Sequence, residues 1–445
     1  MFKTRLKPHL IVLVVLFLVA GPLCVCAQEE VPQVPQEEVL QVPQEEVLQV
    51  SQEEVAQVSE PSVRFELLTC SPGPLVYELY GHTSLRAIDD DGLDVVFNYG
   101  VFDFRKPHFV WNFVLGHTDY MVVPIPFELF LEEYRKRGSF VKSQRLNLTA
   151  DEATRLMRSL MDNTLPQNRV YRYNYLSNNC TTKVRDMIES AIDGEVKYRE
   201  EEKFSYRECL QAYTAEHPWA ELGNAMLLGA TVDTILTDRN SAFLPERLMA
   251  YYNDAVIYDV EGNSRPLLSG STITLVEARD VPVEPEFPLS PLQVILCFAG
   301  LSILVFVCEL AFKRMIWGYD LLVMLALGAS GILVWFMFFF SEHPSVDTNW
   351  QIWLYNPLPL FCMPWVVWKA IKKKFCLYHL VNMAILILFL VFSPWIPQHF
   401  AVVTLPLACT LLLRPVSYYI YYSRVTPKVQ AAGKNEKPAK KKNSK

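Results

Sequence analysis

The chain changes character near residue 290. From Ser290 to Tyr422 apolar residues come in long runs, near 291 to 312, 316 to 340, 354 to 371, 377 to 395 and 399 to 422. Each is close to the roughly 20 apolar residues that a membrane-spanning helix needs. Upstream, from Pro61 to Pro288, hydrophobic positions alternate with polar ones or recur at helical spacing, the pattern of elements that bury one face. "VRFELLTC", "LVYELYGHTSLRAI", "DVVFNYGVFDF" and "YMVVPIP" read as strands. Residues 149–161 read as a helix opened by Thr149 with Glu152 three positions on, a capping box. Residues 180–191 read as a second, with Val184, Met187, Ile188 and the following Ile192 on one stripe, and a third surrounds "YRECLQAYTAEHP". Strands first and helices after predict an α+β domain, followed here by an all-α membrane bundle of about five helices.

Charge sets the direction of the bundle. Basic residues follow the first run (Lys313, Arg314), the third ("KAIKKK") and the fifth ("KNEKPAKKKNSK"), while "SEHPSVDTNWQ" and "PWIPQ" separate the others. That alternation is what the positive-inside rule asks of five spans. It puts residues 60–288, the loop 341–353 and the loop near Pro397 together on the outer side. The third run holds Pro357, Pro359 and Pro364, which predicts a kinked or re-entrant span.

The N-terminus carries Lys3, Arg5 and Lys7, then an apolar stretch, then "VCA" before Gln28. It reads as an export signal over 1–27, cleaved after Ala27 or retained as an anchor helix. Residues 28–60 contain four octads of the type "QEEVLQVP", with no aromatic residue and two Glu per copy. They predict a disordered acidic spacer, reaching at most about 100 Å at ~3.1 Å per residue. The expected division is therefore signal 1–27, spacer 28–60, exported domain 61–288, five-span bundle 289–422 and basic cytoplasmic tail 423–445.

Composition adds little to this picture. The net charge of −7 averages an acidic domain with a basic tail, and no basic-aromatic face suggests a nucleic-acid partner. Ten cysteines include no C-x-x-C pair, so neither a metal site nor another cofactor is expected. Five cysteines lie in or beside apolar runs and two in the signal, which leaves Cys70, Cys180 and Cys209 in the exported domain. An odd number in an oxidising compartment leaves at least one thiol unpaired.

Cys180 follows "YLSNN" at the head of a helix. Unpaired N–H groups and the positive end of the helix dipole favour a thiolate there. A nucleophilic thiol also needs a base. Among eight histidines, His82 in "YGHTSLRA" stands out, on a strand edge directly after a glycine. Taken alone, Cys180 is as readily a structural thiol as a nucleophile. Cys70 is its competitor, with a structural role or a disulfide to Cys209 as alternatives.

The order of a strand histidine followed by "NNC" opening a helix resembles the permuted, lecithin-retinol-acyltransferase-like branch of the papain-like superfamily. More closely, "LLTCSPGPLVYELYGHTSLRA", "FNYGVFDF", "YNYLSNNCTTKVRD", "FLPERLM" and "SEHPSVDTNWQIWLYNPLPL", spanning Leu67 to Leu360, look like the Lnb-type lipoprotein N-acyltransferases. The octads and the lysine tail have no counterpart in those motifs. The resemblance implies a multi-pass protein of the bacterial inner membrane whose catalytic domain faces the periplasm. It also implies transfer of an acyl chain from a membrane phospholipid, through a Cys180 thioester handled by His82, to the α-amino group of a diacylated lipoprotein.

Within that reading Asn98 and Asp103 compete to orient His82, Asp103 for its charge and Asn98 by papain-like analogy. The Cys180 N–H with Asn179 or a strand N–H would form the oxyanion hole. Tyr99, Arg86, Arg185, His343 and Asn349 are candidate substrate contacts; ion pairing for the arginines and helix capping for Asn349 are the structural alternatives. A papain-like cell-wall peptidase and a non-catalytic lipid- or lipoprotein-binding membrane protein are the competing functions.

Overall fold

The computed structural model describes residues 63–103, 107–200, 202–282 and 287–425. The export signal, the octad spacer and nearly all of the basic tail lie outside the described residues.

The described residues hold ten strands, of which the four strand-like stretches supply the first four: β1 Arg64–Cys70, β2 His82–Ile88, β3 Asp94–Val101, β4 Asp119–Pro126, β5 Val141–Arg145, β6 Val170–Arg172, β7 Glu195–Lys197, β8 Val256–Tyr258, β9 Ser264–Pro266 and β10 Ile273–Val276. Seven form one antiparallel sheet in the order β10-β5-β1-β2-β3-β4-β6, and β7-β8-β9 form a small second sheet. The stretch 75–80, read as strand from its apolar residues, instead contains a 3-10 turn at Val76–Glu78. Glu78 at the end of that turn is buried and pairs with the half-buried Arg137 at 3.0 Å.

Among the described residues eight helices belong to this domain: α1 Phe109–Leu115, α2 Phe127–Arg137, α3 Ala150–Thr164, α4 Cys180–Ala191, α5 Tyr206–Thr214, α6 Pro218–Leu227, α7 Asp238–Ser241 and α8 Pro245–Asp254. Helix α3 opens on the capping box read from Thr149 and Glu152. The large sheet is covered on both faces. On one, Phe65, Leu67, Leu85 and Phe97 pack with Leu156 and Leu160 of α3, Val184 and Ile188 of α4 and Leu248 of α8. On the other, Leu68, Cys70 and Val96 meet Phe127, Phe130 and Tyr134 of α2. Phe65 and Leu67 on one face and Leu68 and Cys70 on the other follow the period-2 pattern of a strand buried on both sides.

The C-terminal region is helical: α9 Pro291–Phe312, α10 Trp317–Phe340, α11 Leu358–Ile371, α12 Leu377–Phe392 and α13 Thr404–Ile420. Three of these are long and apolar enough to cross a bilayer: α9, α10 and the segment Leu377–Trp395. The other two expected spans are shorter. Helix α11 starts directly after Pro357, has Pro359 in its first turn and carries Pro364 within it, and its 14 residues reach about 21 Å at ~1.5 Å per residue, against a hydrocarbon core of roughly 30 Å. Helix α13 has 17 residues and an internal Pro415.

The two outer loops of the bundle are stitched to the soluble domain. Asn349 Nδ2 donates to the carbonyl of Met226, Gly229 N donates to Ser345 O, and Gln398 Nε2 donates to Leu228 O. At the rim, Arg172 pairs with Glu342 and His399 with Asp233.

Candidate active site

Helix α4 starts where it does because Asn179 caps it. Its Oδ1 accepts from Thr182 N–H at 2.9 Å, and Thr182 Oγ1 accepts from Asn179 N–H at 2.8 Å, a reciprocal box that uses Thr rather than the usual Glu or Gln. The Asn179 amide donates to the carbonyls of Tyr175 at 2.8 Å and Phe243 at 3.0 Å. Both of its donor hydrogens are therefore spent on holding the helix start, and the side chain offers none to an oxyanion. Cys180 is thereby fixed as the first helical residue, buried against the sheet.

His82 begins β2 and lies opposite Cys70, the last residue of β1. Its Nε2 lies 2.6 Å from Oδ1 of Asn98, which with an amide oxygen as acceptor makes Nε2 the protonated nitrogen. Ser84 Oγ donates to the same oxygen at 3.2 Å. The second ring nitrogen is left for Cys180, with which the imidazole is hydrogen bonded.

Burial alone would push the Cys180 thiol up. The His82 charge and hydrogen bond, the Thr83 N–H and the Thr181 hydroxyl outweigh it and bring the thiol down to about 7. Burial likewise disfavours a charged His82, yet the Cys180 sulfur and the bonds to Cys180 and Asn98 raise its pKa against the opposing charge of Arg137. Two opposite shifts sharing one hydrogen bond couple the thiol to the imidazole, so the titration belongs to the pair rather than to either residue.

A bulge in β3 lies beside Cys180. The β3–β4 register slips between Tyr99 and Val101, and Gly100 takes φ +88. A Cβ there would lie 3.5 Å from Cys180 Cβ and 3.6 Å from the Tyr173 ring, in a conformation that residues with side chains rarely adopt.

The structure sorts the remaining candidates by position. Cys180, His82 and Asn98 come together, and Asp103 lies beyond the end of β3. Tyr99 is in the core on the α4 face, 6.2 Å ring to ring from Tyr171. Arg86 forks onto Asp94 with two bonds of 2.7 Å, pairs with Glu66 at 3.0 Å and lies over the Phe127 ring. Arg185 is buried and committed to Asp186 and the Arg239 carbonyl. Asn349 caps the turn at Trp350–Trp353 and anchors it to α6. His343 bonds the Phe113 carbonyl at 2.6 Å through Nε2, and burial lowers its pKa.

Cys70, Cys180 and Cys209 are all free thiols. Burial pushes the Cys70 thiol well up, only partly offset by a hydrogen bond from Tyr134, so Cys70 is held neutral. Tyr134 in turn stacks on the His82 ring at 6.4 Å.

Four residues at the site escaped the sequence reading: Thr83 and Thr181, joined at 3.0 Å, Tyr134, and Gly100. Only Gly100 had a signal, an isolated glycine inside a strand pattern.

A family model described as the Lnb N-terminal periplasmic domain matches residues 51–212, and one described as the Lnb transmembrane domain matches residues 283–425. No curated protein and no solved structure matches the chain. Both matched segments and the apolar helices make this a multi-pass membrane protein with a periplasmic domain.

Proposed function

Since the chain belongs to the Lnb-type lipoprotein N-acyltransferase family, we propose that its exported domain moves an acyl chain from a membrane phospholipid to the α-amino group of a diacylated lipoprotein. The observation that carries this is the chain of contacts Cys180–His82–Asn98, with the thiol at a helix start and near pKa 7. In this reading the Cys180 thiolate attacks an ester carbonyl of the donor. The carbonyl oxygen takes the negative charge beside the N–H groups of Cys180 and Thr83. The C–O bond breaks, the His82 imidazolium gives its proton to the departing glycerol oxygen, and a lysophospholipid leaves behind a Cys180 thioester. The neutral lipoprotein amine then attacks the thioester, the C–S bond breaks, and His82 takes the amine proton, restoring the ion pair. Asn98 keeps the imidazole turned towards the sulfur. No cofactor enters either step.

A strand histidine ahead of a helix-opening cysteine, on an antiparallel sheet, supports a permuted papain-like topology for residues 61–288. The alternating basic clusters support five spans in residues 289–422, with the shorter α11 and α13 completing the three longer helices. They also support an inner-membrane setting with the catalytic domain outside. Incubation with phospholipid should add one acyl mass to the intact protein, and Cys180→Ala should remove it. An adduct that survives Cys180→Ala, or cleavage of peptidoglycan fragments without any adduct, would sink the assignment.

A further inference from the structure

Helix α1, "FVWNFVL", is uncharged and apolar at six of seven positions, and none of its residues is buried. Val110, Trp111 and Phe113 expose 73%, 55% and 47% of their surface. A seven-residue helix with this composition gains nothing from facing water.

Its position explains the composition. Trp111 packs on Phe336, one turn from the end of α10, at 5.3 Å. The carbonyls of Phe113 and Leu115 accept from His343 Nε2 and from the Glu342 N–H. Gly116, at φ +80, lets the chain pass so close to His343 N that a Cβ would stand 2.5 Å from it. The apolar face of α1 is thus continuous with the exposed Phe339 and Phe340 at the outer end of a membrane helix.

Behind α1 runs a row of rings. Phe113 to Phe109 is 6.4 Å, Phe109 to Phe102 is 5.9 Å, Phe102 to Tyr120 is 4.7 Å and Tyr120 to Tyr173 is 4.5 Å. Tyr173 lies beside Gly100 and Cys180, its ring 3.6 Å from where a Gly100 Cβ would stand.

We infer that α1 lies in the outer leaflet of the bilayer and that the Phe113–Phe109–Phe102–Tyr120–Tyr173 row is the path by which a phospholipid acyl chain reaches Cys180. The inference rests on the acyl-transfer reading and adds to it where the donor enters. A chain withdrawn from the bilayer into water loses its apolar surroundings methylene by methylene. A ring-lined path that begins in the leaflet keeps it covered as far as the thiol, and Trp111 suits the interface, where one edge is apolar and the other wet.

Two measurements on the full-length protein test this. In vesicles of phosphatidylethanolamine brominated on the upper acyl chain, the fluorescence difference between wild type and Trp111→Phe should be quenched. Second, Val110→Asp, an exposed substitution, should slow acylation of Cys180 by vesicle phospholipid by about tenfold or more, leave acetylation by water-soluble p-nitrophenyl acetate unchanged, and be rescued in Val110→Leu. An unquenched Trp111 in a protein that is acylated by phospholipid overturns the inference alone. So does a Val110→Asp protein that keeps full phospholipid acylation, or one that loses both donors equally. A quenched wild type that takes acetyl from the soluble ester but never an acyl chain from phospholipid overturns the catalytic reading beneath it.

Discussion

Two buried polar clusters lie in the two halves of this molecule, and they are finished to different degrees. In the bundle, Arg414 bonds Glu309 through both terminal nitrogens at 2.9 and 3.1 Å and Asp320 through Nε at 2.8 Å. Ser417 and the Ile316 N–H complete the Glu309 carboxylate. Every charged group there has fixed partners, and the cluster ties α9, α10 and α13 together. At the exported site the Cys180 sulfur has His82, the Thr83 N–H and a long 3.9 Å contact to Thr181, and among the described residues the buried Tyr99 hydroxyl has no hydrogen-bond partner. A saturated cluster holds helices in place, whereas an under-saturated one keeps interactions in reserve for a reacting group.

The contrast yields graded expectations. The largest effect belongs to His82→Ala, which should slow acyl-enzyme formation by about 10²–10⁴-fold while leaving thermal unfolding in detergent near wild type; activity within a few-fold of normal would remove His82 from the mechanism. Arg414→Leu should do the reverse. It leaves two carboxylates buried without their cation and should cost about 3–5 kcal/mol of stability, read as a lower unfolding temperature, with little change in the rate per folded molecule.

Asn98→Ala comes next. Loss of one hydrogen bond to a charged imidazole, about 1.5–3 kcal/mol, corresponds to roughly 10–100-fold in rate. The sign of its pH effect follows from the pair. Asn98 raises the His82 pKa, so removing it lowers the population of imidazolium and thereby raises the Cys180 pKa. Alkylation of Cys180 by iodoacetamide should rise through about 7 in wild type and at higher pH in the variant. An unshifted profile would assign Asn98 to the sheet alone. Cys70→Ala should matter least, within a few-fold of wild-type activity, because its thiol is neutral and sits outside the chemistry; a dead Cys70→Ala beside an active Cys180→Ala would reverse the two thiols.

Much of the site was legible where the signal is local. The helix start at Cys180 follows from the stripe of Val184, Met187 and Ile188, and the His82 strand from its alternation. The choice between Asn98 and Asp103 was not legible, because it depends on strand register. With Leu85 paired to Phe97, Ser84 and Asn98 fall level one step on, and the His82 ring reaches the same amide. Helix α1 has no polar face, so it has no periodicity to read; seven near-uniform apolar residues look alike as strand, helix or loop. The bundle was legible in its number of apolar runs but not in its helix lengths, since the third helix begins only after Pro357 and leaves the first residues of its apolar run outside it. Arg185 shows the opposite case: an ion pair was already the alternative to a phosphate contact in the sequence, and the fold makes it, with Asp186 one residue on and with the Arg239 carbonyl, which no local pattern points to.

The seam between domain and bundle is made chiefly of amides and main-chain carbonyls: Asn349 on Met226, Gln398 on Leu228, Gly229 on Ser345. Uncharged bonds of this kind are nearly indifferent to ionic strength, whereas the exposed Arg172–Glu342 pair at its rim is screened within roughly 8 Å at physiological salt. The altitude of Cys180 above the lipid is therefore a built-in dimension rather than an electrostatic equilibrium. A change of periplasmic salinity would fray the edge of the joint and leave Cys180 at the same height.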